Sequence, residues 1–413
     1  MIKSESIQKP APVILFIVTG FPPDVSGVSL FNWERAISLA KMSSYQIVVL
    51  APDWQNPNTE RFSNDQIPAN LVIDLYPSKP WPPYTLTHVP CFSSGSFIKK
   101  KLQFYKPKII IYTDVERLYL FGTWQLPGIQ YAKAESIPIL AEYHTDLYNF
   151  SAAYPGWQWL RGLVKLTKLS SFLYRNFNYT ICASQAAANS CHEMGILNTK
   201  IVAFLGIDVS EFSPEHCHRD HLSEWLLPRE QAHTIFLYLG RLGYEKQVDL
   251  LIRAFTSLKA DLPNCSLLIA GDGPIEVVKQ LQTLASMSSD IHFTGFLHGI
   301  RKAQVLASCD VFCSASPFET FGRTLVEAMA SGVPVVTVES GAVAEYICNG
   351  VNGYLVKPDD LDSLMNAMRY TMLMPTINLA NQACLDSQAF SLEAGCNELL
   401  KLYDSLLENS VHA

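Results

Sequence analysis

Short runs of consecutive apolar, often β-branched residues recur along this chain, each followed by a stretch of helical periodicity. VILFIV (13–18), QIVVL (46–50), KIIIY (108–112), IPILA (137–141) and YTICA (179–183) form a first series. TIFLYLG (234–240), CSLLIAG (265–271), DVFCS (310–314) and PVVTV (334–338) form a second. Strands apolar on both faces that alternate with helices predict parallel sheets covered by helices on either side, an α/β architecture. The alternation lapses at SEFSPEHCHRDHLSEWLLPREQAH (210–233), which is polar and contains prolines. A domain boundary is placed just before it. The expected division is 1–208, 209–388 and a C-terminal helical segment, 389–413, with Leu399, Leu400, Tyr403 and Leu406 on one face.

Length supports that division, since 413 residues exceed what one core usually holds. With 48% apolar and 17% charged residues the chain is expected to be globular. No apolar run reaches the roughly 18–20 residues of a membrane span. The first one, APVILFIV (11–18), is short and enters a turn, and the polar MIKSESIQKP before it lacks a signal-peptide pattern. A cytoplasmic protein is expected, and ten scattered cysteines fit reduced thiols. The cluster HCHRDH (216–221) could hold a metal but lacks the separated ligand pairs of zinc sites, so a solvated loop and no metal are expected. Cys309 and Cys313 are expected to be buried small hydrophobes.

Charge is uneven. Residues 1–210 hold 18 Lys+Arg against 14 Asp+Glu, a net of +4, and the remainder 13 against 24, a net of −11. No acid lies between Asp74 and Asp114, where six lysines occur, nor between Asp146 and Glu193. A basic half on an acidic protein suggests an anionic ligand or surface.

Ligands of doubly wound sheets bind beyond the carboxyl ends of the strands, so the loops there are the candidates. After the first strand, TGFPPDVSGVS offers Gly20 and Gly27 for close backbone approach but is not a G-x-G-x-x-G fingerprint. After the strand at 234–239, Arg241 sits at the strand end and Lys246 opens the next helix. Alone they are two surface cations; converging on a helix N-terminus they suit a diphosphate. GDGP (271–274) reads as a structural turn. In ETFGRTLVEAMASGVPVV (319–336), Gly322 leads into a helix over Thr324 to Ala330 that Gly332 and Pro334 end. Glu319 and Glu327 flank its first turn. Free amides at a helix start attract anions, whereas carboxylates there repel phosphate unless they bind hydroxyls. The composite ligand is a sugar joined to a diphosphate.

With these residues in place the chain resembles the retaining glycosyltransferases of family 4. The similarity runs through GRLGYEKQVDLL, LLIAGDGP, IHFTGFL, SPFETFGRTLVEAMASGVPVV and AEYICNGVNGYLVKPDDL, and more weakly through the Gly27 loop, EYHTDL (142–147) and GIDVSEFSP (206–214). It implies a GT-B fold of two facing Rossmann-like domains, the C-terminal helix crossing back to the first. It also implies that Arg241 and Lys246 neutralise the donor diphosphate, helped by backbone amides near Phe321, Gly322 and Arg323. Glu319 would hold hydroxyls of the donor sugar and Glu327 the ribose. The backbone at Gly295, Phe296 and Leu297 would meet the base, and His144 would touch the donor sugar from the first domain. Catalysis would need neither a protein nucleophile, nor a metal, nor a cofactor. Two departures stand out: Ser26 precedes Gly27 where paired glycines are usual, and ESGAVAEYI offers Gly341 alone.

The HTD form of the His144 segment resembles the branch that includes lipid-modifying members. Residues 148–175 are basic and aromatic, with Arg161, Lys165, Lys168 and Arg175 spaced onto one helical face behind Trp157 and Trp159. That pattern suits an interfacial contact with an anionic membrane, or an ordinary amphipathic helix with snorkelling cations. The expected function is sugar transfer from a nucleoside diphosphate to a lipid or membrane-proximal acceptor. The alternatives are a soluble transferase for polysaccharide precursors or small metabolites, and a nucleotide-sugar-binding protein without turnover. No nucleic-acid partner is expected.

Overall fold

The computed structural model describes residues 11–24, 26–54, 67–81, 84–119, 126–144 and 169–411. All nine strands expected from the apolar runs form. The first sheet contains β1 (Val13–Ile17), β2 (Gln46–Asp53), β3 (Leu71–Trp81), β4 (Tyr84–Pro90), β5 (Ile109–Thr113), β6 (Ile139–Tyr143), β7 (Tyr179–Cys182) and β8 (Thr199–Ile201). Its order is β4-β3-β2-β1-β5-β6-β7-β8. The second contains β9 (Thr234–Leu239), β10 (Cys265–Ala270), β11 (Ile291–Gly295), β12 (Val311–Ser314), β13 (Val335–Val338) and β14 (Tyr354–Val356), ordered β11-β10-β9-β12-β13-β14. In both, the chain steps to one side of the first strand and then crosses to the other, which leaves a crevice at the switch point.

The expectation of purely parallel sheets needs one correction. β3 and β4 pair antiparallel, Ser78 facing Pro90 and Lys79 facing Val89, outside the apolar runs that predicted strands. Prolines at 77, 80 and 90 cannot donate to a ladder, so the hairpin belongs at a sheet edge, where it lies.

Five helices matter for the site: α1 (Gly27–Met42), α2 (Ser94–Tyr105), α3 (Gln185–Glu193), α4 (Val248–Asp261) and α5 (Arg323–Ala330). Each sheet has a core on both faces. Leu15, Ile17, Ile110 and Tyr112 fill one side of the first, and Ile14, Phe16, Ile109 and Ile111 the other. A last helix, α6 (Leu392–Val411), completes the second of these cores with Cys396, Leu399, Leu402 and Tyr403, whose ring meets Phe16 edge-on at 6.5 Å. The polar stretch at 210–233 folds as short 3-10 turns that bury Phe212, Leu222 and Leu226 in the core of the second sheet. Among the described residues no helix is long and apolar enough to cross a membrane.

Candidate active site

The carboxyl end of β9 leads directly into the expected cation pair. Gly240 N–H donates to Ala270 C=O (2.9 Å) and Leu242 N–H to Asp272 C=O (2.8 Å), so the GDGP turn braces the Arg241 loop. Arg241 reaches Glu245 at 2.5 Å, a carboxylate only 2% exposed. Lys246 differs slightly from its expected place: it closes a 3-10 turn, and α4 begins two residues later after Gln247 takes a left-handed φ of 48°. That turn aims its ammonium at Glu319, 2.5 Å away. A lysine from one loop and a carboxylate from another, 73 residues apart, therefore meet in the crevice.

Gly322 precedes α5 at φ 77°, a conformation L side chains rarely adopt, and a Cβ there would stand 2.7 Å from Leu325 and 2.8 Å from the Tyr346 hydroxyl. Tyr346 in turn donates to the Phe321 carbonyl at 2.6 Å. The helix starts at Arg323, one residue earlier than expected. The amides of Phe321, Gly322 and Arg323 have no hydrogen-bond partner among the described residues, which is the anion-binding feature of a helix start. Gly341, φ 52°, backs this loop: its Cβ would lie 2.4 Å from the Glu319 carbonyl. Gly341→Ala should push Glu319 out of register with Lys246 and lower kcat/KM for donor turnover by about tenfold or more. Circular dichroism melting would separate that effect from unfolding.

Glu327 lies one turn into α5 and is fully buried. One of its oxygens accepts from Lys302 (2.9 Å) and from Arg323 Nε (3.2 Å). Its other oxygen and Arg323 Nη1 are buried with no partner among the described residues. Such an orphaned acceptor and donor within one ion cluster suit a ligand hydroxyl. Arg323 Nη2 also grips both oxygens of Glu34 on α1, at 2.9 and 2.7 Å, bridging the two lobes. Burial would lower the Arg323 pKa, but Glu34 and Glu327 outweigh it and raise it. Burial raises the Glu34 carboxyl despite Arg323.

His144 follows β6 and is buried. Its Nε2 lies 3.0 Å from Glu142, two residues back and on the same face of the strand. Glu142 is fully buried and also bound at 2.5 Å by Arg35 of α1, whose guanidinium lies over the Phe16 and Phe31 rings. Burial alone would raise the Glu142 carboxyl; Arg35 and His144 together hold it below its ordinary value. The His144 carbonyl accepts from Thr320 Oγ1 at 3.0 Å, so the loop carrying Glu319 touches the loop carrying His144. Glu345 adds a further bridge, capping the first amides of α3 at Gln185 and Ala186 (3.1 and 2.6 Å).

Other expected residues are less engaged. Gly27 opens α1, and a Cβ there would meet nothing within 4 Å, so the fold itself does not demand glycine. The start of α1 already holds a carboxylate, since Asp24 accepts from Ser26 N–H (2.9 Å) and Ser29 Oγ (2.6 Å); that disfavours a phosphate there. Gly295 ends β11 at φ 74°, Phe296 is half exposed and stacked on His298, and Leu297 is buried. Arg161, Lys165, Lys168 and Asp146 lie outside the described residues. Arg175 is exposed, with its guanidinium 4.4 Å from the Phe172 ring centre. Arg219 of the HCHRDH segment binds Asp310 through two bonds of 2.7 and 2.8 Å. Among the described residues no cluster of three His, Cys, Asp or Glu could hold a metal. Cys309 and Cys313 are buried, as expected, and burial pushes both thiols up.

Comparison with known proteins follows the same lines. Residues 226–383, which carry Arg241, Lys246, Glu319 and Glu327, match the family model described as glycosyl transferases group 1. The chain is 26% identical over 380 residues to the sulfoquinovosyl transferase SQD2 of Arabidopsis thaliana, covering 89% of this chain and 68% of that one. Over 175 residues it is 32% identical to a GDP-mannose-dependent alpha-(1-6)-phosphatidylinositol dimannoside mannosyltransferase of Mycobacterium tuberculosis, 42% of this chain and 44% of that one. The sucrose-phosphate synthase structure from Thermosynechococcus elongatus superposes with a TM-score of 0.76 at 20% identity, covering 97% of this chain and all of that one (100%). The fold is GT-B.

Proposed function

We propose that the protein is a retaining, metal-independent glycosyltransferase of family 4. On this reading it moves a sugar from a nucleoside diphosphate to a lipid or membrane-proximal acceptor at the cytoplasmic face of a membrane. The observation that carries the reading is the Lys246–Glu319 contact in the crevice, with His144 joined to the same loop through Thr320. On donor binding, Lys246 and Arg241 turn to the diphosphate and Glu319 to the sugar hydroxyls, while Glu327 takes the ribose and the backbone at 295–297 meets the base. The bond from C1 to the β-phosphate oxygen breaks as the cations take up the charge that builds there. The acceptor hydroxyl bonds to C1 on the same face and gives its proton to the leaving phosphate. The mycobacterial relative, named for GDP-mannose and a phosphatidylinositol mannoside, supports a nucleotide-sugar donor and a lipid acceptor.

The test follows nucleoside diphosphate release from a panel of nucleotide sugars, with and without membrane lipid, for wild type and Glu319→Gln. Lipid-stimulated release from one donor, reduced about 10- to 100-fold in the variant, is the expected outcome. Release that ignores lipid would transfer the activity to a soluble acceptor. Donor binding without release would leave a nucleotide-sugar-binding protein.

A further inference from the structure

We propose that the Arg323 side chain reads the donor ribose together with Glu327, and that Glu34 of the first lobe is the positioning residue that aims it. That the hydroxyls read belong to a ribose rests on the nucleotide-sugar donor proposed above; the arrangement of the three side chains does not.

An arginine facing a carboxylate commonly sets two parallel N–H groups against its two oxygens. Arg323 is divided differently. Nη2 alone spans both oxygens of Glu34, at 2.9 and 2.7 Å, and Nε turns to Glu327 at 3.2 Å. Nη1 is left buried and without a partner among the described residues. The asymmetry repeats on Glu327: Oε1 accepts from both Lys302 (2.9 Å) and Arg323 Nε, while Oε2 is buried with no donor. A buried donor and a buried acceptor each cost stability when left open. A cluster that only tied the lobes together would gain nothing from leaving both. The two unmet needs are complementary to adjacent hydroxyls, one donating to Oε2 and the oxygen of one accepting from Nη1. A phosphate would satisfy Nη1 but set like charge against Oε2.

Glu34 fixes which way the guanidinium points. It lies on α1 beside Arg35, and consecutive residues of a helix point about 100° apart. Glu34 therefore reaches Arg323 in the second lobe, while Arg35 reaches Glu142 and, through it, His144. The pair is well shielded, the side chains of Arg323 and Glu34 being 15% and 22% exposed. One helix of the first lobe thus supports both ends of the donor, the sugar through His144 and the ribose through Arg323. Nucleotide affinity should then depend on a first-lobe side chain that the nucleotide never touches. By reciprocity, a bound nucleotide should tighten the contact between the lobes.

The test is calorimetric titration of the full chain, first with UDP, GDP and ADP, then with the 2′,3′-dideoxy form of whichever binds. Wild type should favour the ribo form by about 100-fold or more, because the dideoxy form leaves both buried groups unpaired. Arg323→Met should cut that ratio by about tenfold or more, and Glu34→Leu should cut it in the same direction. Arg323→Lys keeps the charge but loses the fork, so it should lower the ratio as Arg323→Met does. Each ratio compares two titrations of one variant, so a reduced folded fraction cancels. Equal weakening of both forms in the Arg323 variants would place Nη1 on a phosphate oxygen, and no weakening of either would make the cluster a tether; both results overturn the proposal. A wild-type ratio in Glu34→Leu would overturn the role of Glu34. Ribose-selective binding by a protein that transfers no sugar would remove the glycosyl-transfer reading and leave this one standing. A chain that binds none of the three nucleotides would remove both.

Discussion

Lys246→Ala should lower kcat by about 10²–10³-fold, the size seen when a preorganised donor to a developing anion is removed. Two effects act in the same direction. The substitution deletes a cation placed to accept charge on the leaving phosphate. It also strips Glu319 of its counter-ion at 2.5 Å, so an uncompensated carboxylate faces the incoming diphosphate. The second effect predicts that Lys246→Ala raises KM for the donor as well. Adding Glu319→Gln to it should then restore part of the donor affinity while leaving kcat low. Both side chains are partly solvated, at 19% and 16% exposure, so the thermal midpoint should scarcely move. Steady-state kinetics on the two single variants and the double variant check this. Equal KM values in wild type and Lys246→Ala would place the phosphate elsewhere.

What the sequence disclosed about fold and site followed from how local the signal was. Apolar runs such as VILFI or IIIYT are buried on both faces, so composition alone marked them as strands of a parallel sheet. β11 and β14 have weaker patterns because they lie at the ends of the second sheet, where one side of each strand lacks a neighbour. The β3–β4 hairpin was hidden by its prolines, which read as loop until edge placement makes them tolerable. Within the site, Arg241, Lys246, Glu319 and Glu327 stood in short motifs after strands. Their internal pairing did not, because Lys246 meets Glu319 only when two loops far apart in the chain converge. Glu142 was within reach of sequence reasoning: two residues before His144 on a strand, it must share its face. Arg35 carried a fainter signal, a cation three residues after Asn32 and four before Leu39 on the buried stripe of α1. Glu34 and Lys302 had none, since each acts only across the fold. Gly341, a lone glycine where two are usual in the resembling family, is explained by the carbonyl of Glu319 against it.

Arg35→Met should destabilise the protein by about 3–5 kcal/mol, the largest stability effect expected for a site-supporting residue. The substitution keeps the apolar contacts with Phe16 and Phe31 but leaves the Glu142 carboxylate fully buried, with only His144 as a partner. The pH dependence gives the cause away. In the wild type the Glu142 pKa is depressed below 4.5, so its contribution is present above that value and is lost as pH falls through the lower folded value. In Arg35→Met burial outweighs what His144 alone offers the carboxylate, and the folded pKa rises above the unfolded one, which reverses the sign. Stability of the variant then declines as pH rises through the new value, and the gap to wild type narrows on acidification from about pH 8 to about pH 5. Glu142→Gln in the Arg35→Met background should recover much of the loss at neutral pH, because no charge is left to bury. Denaturant unfolding of wild type, single and double variants across that range measures all three curves. A gap independent of pH would mean that Arg35 acts through packing alone, and that His144 is held in place without an ionised Glu142.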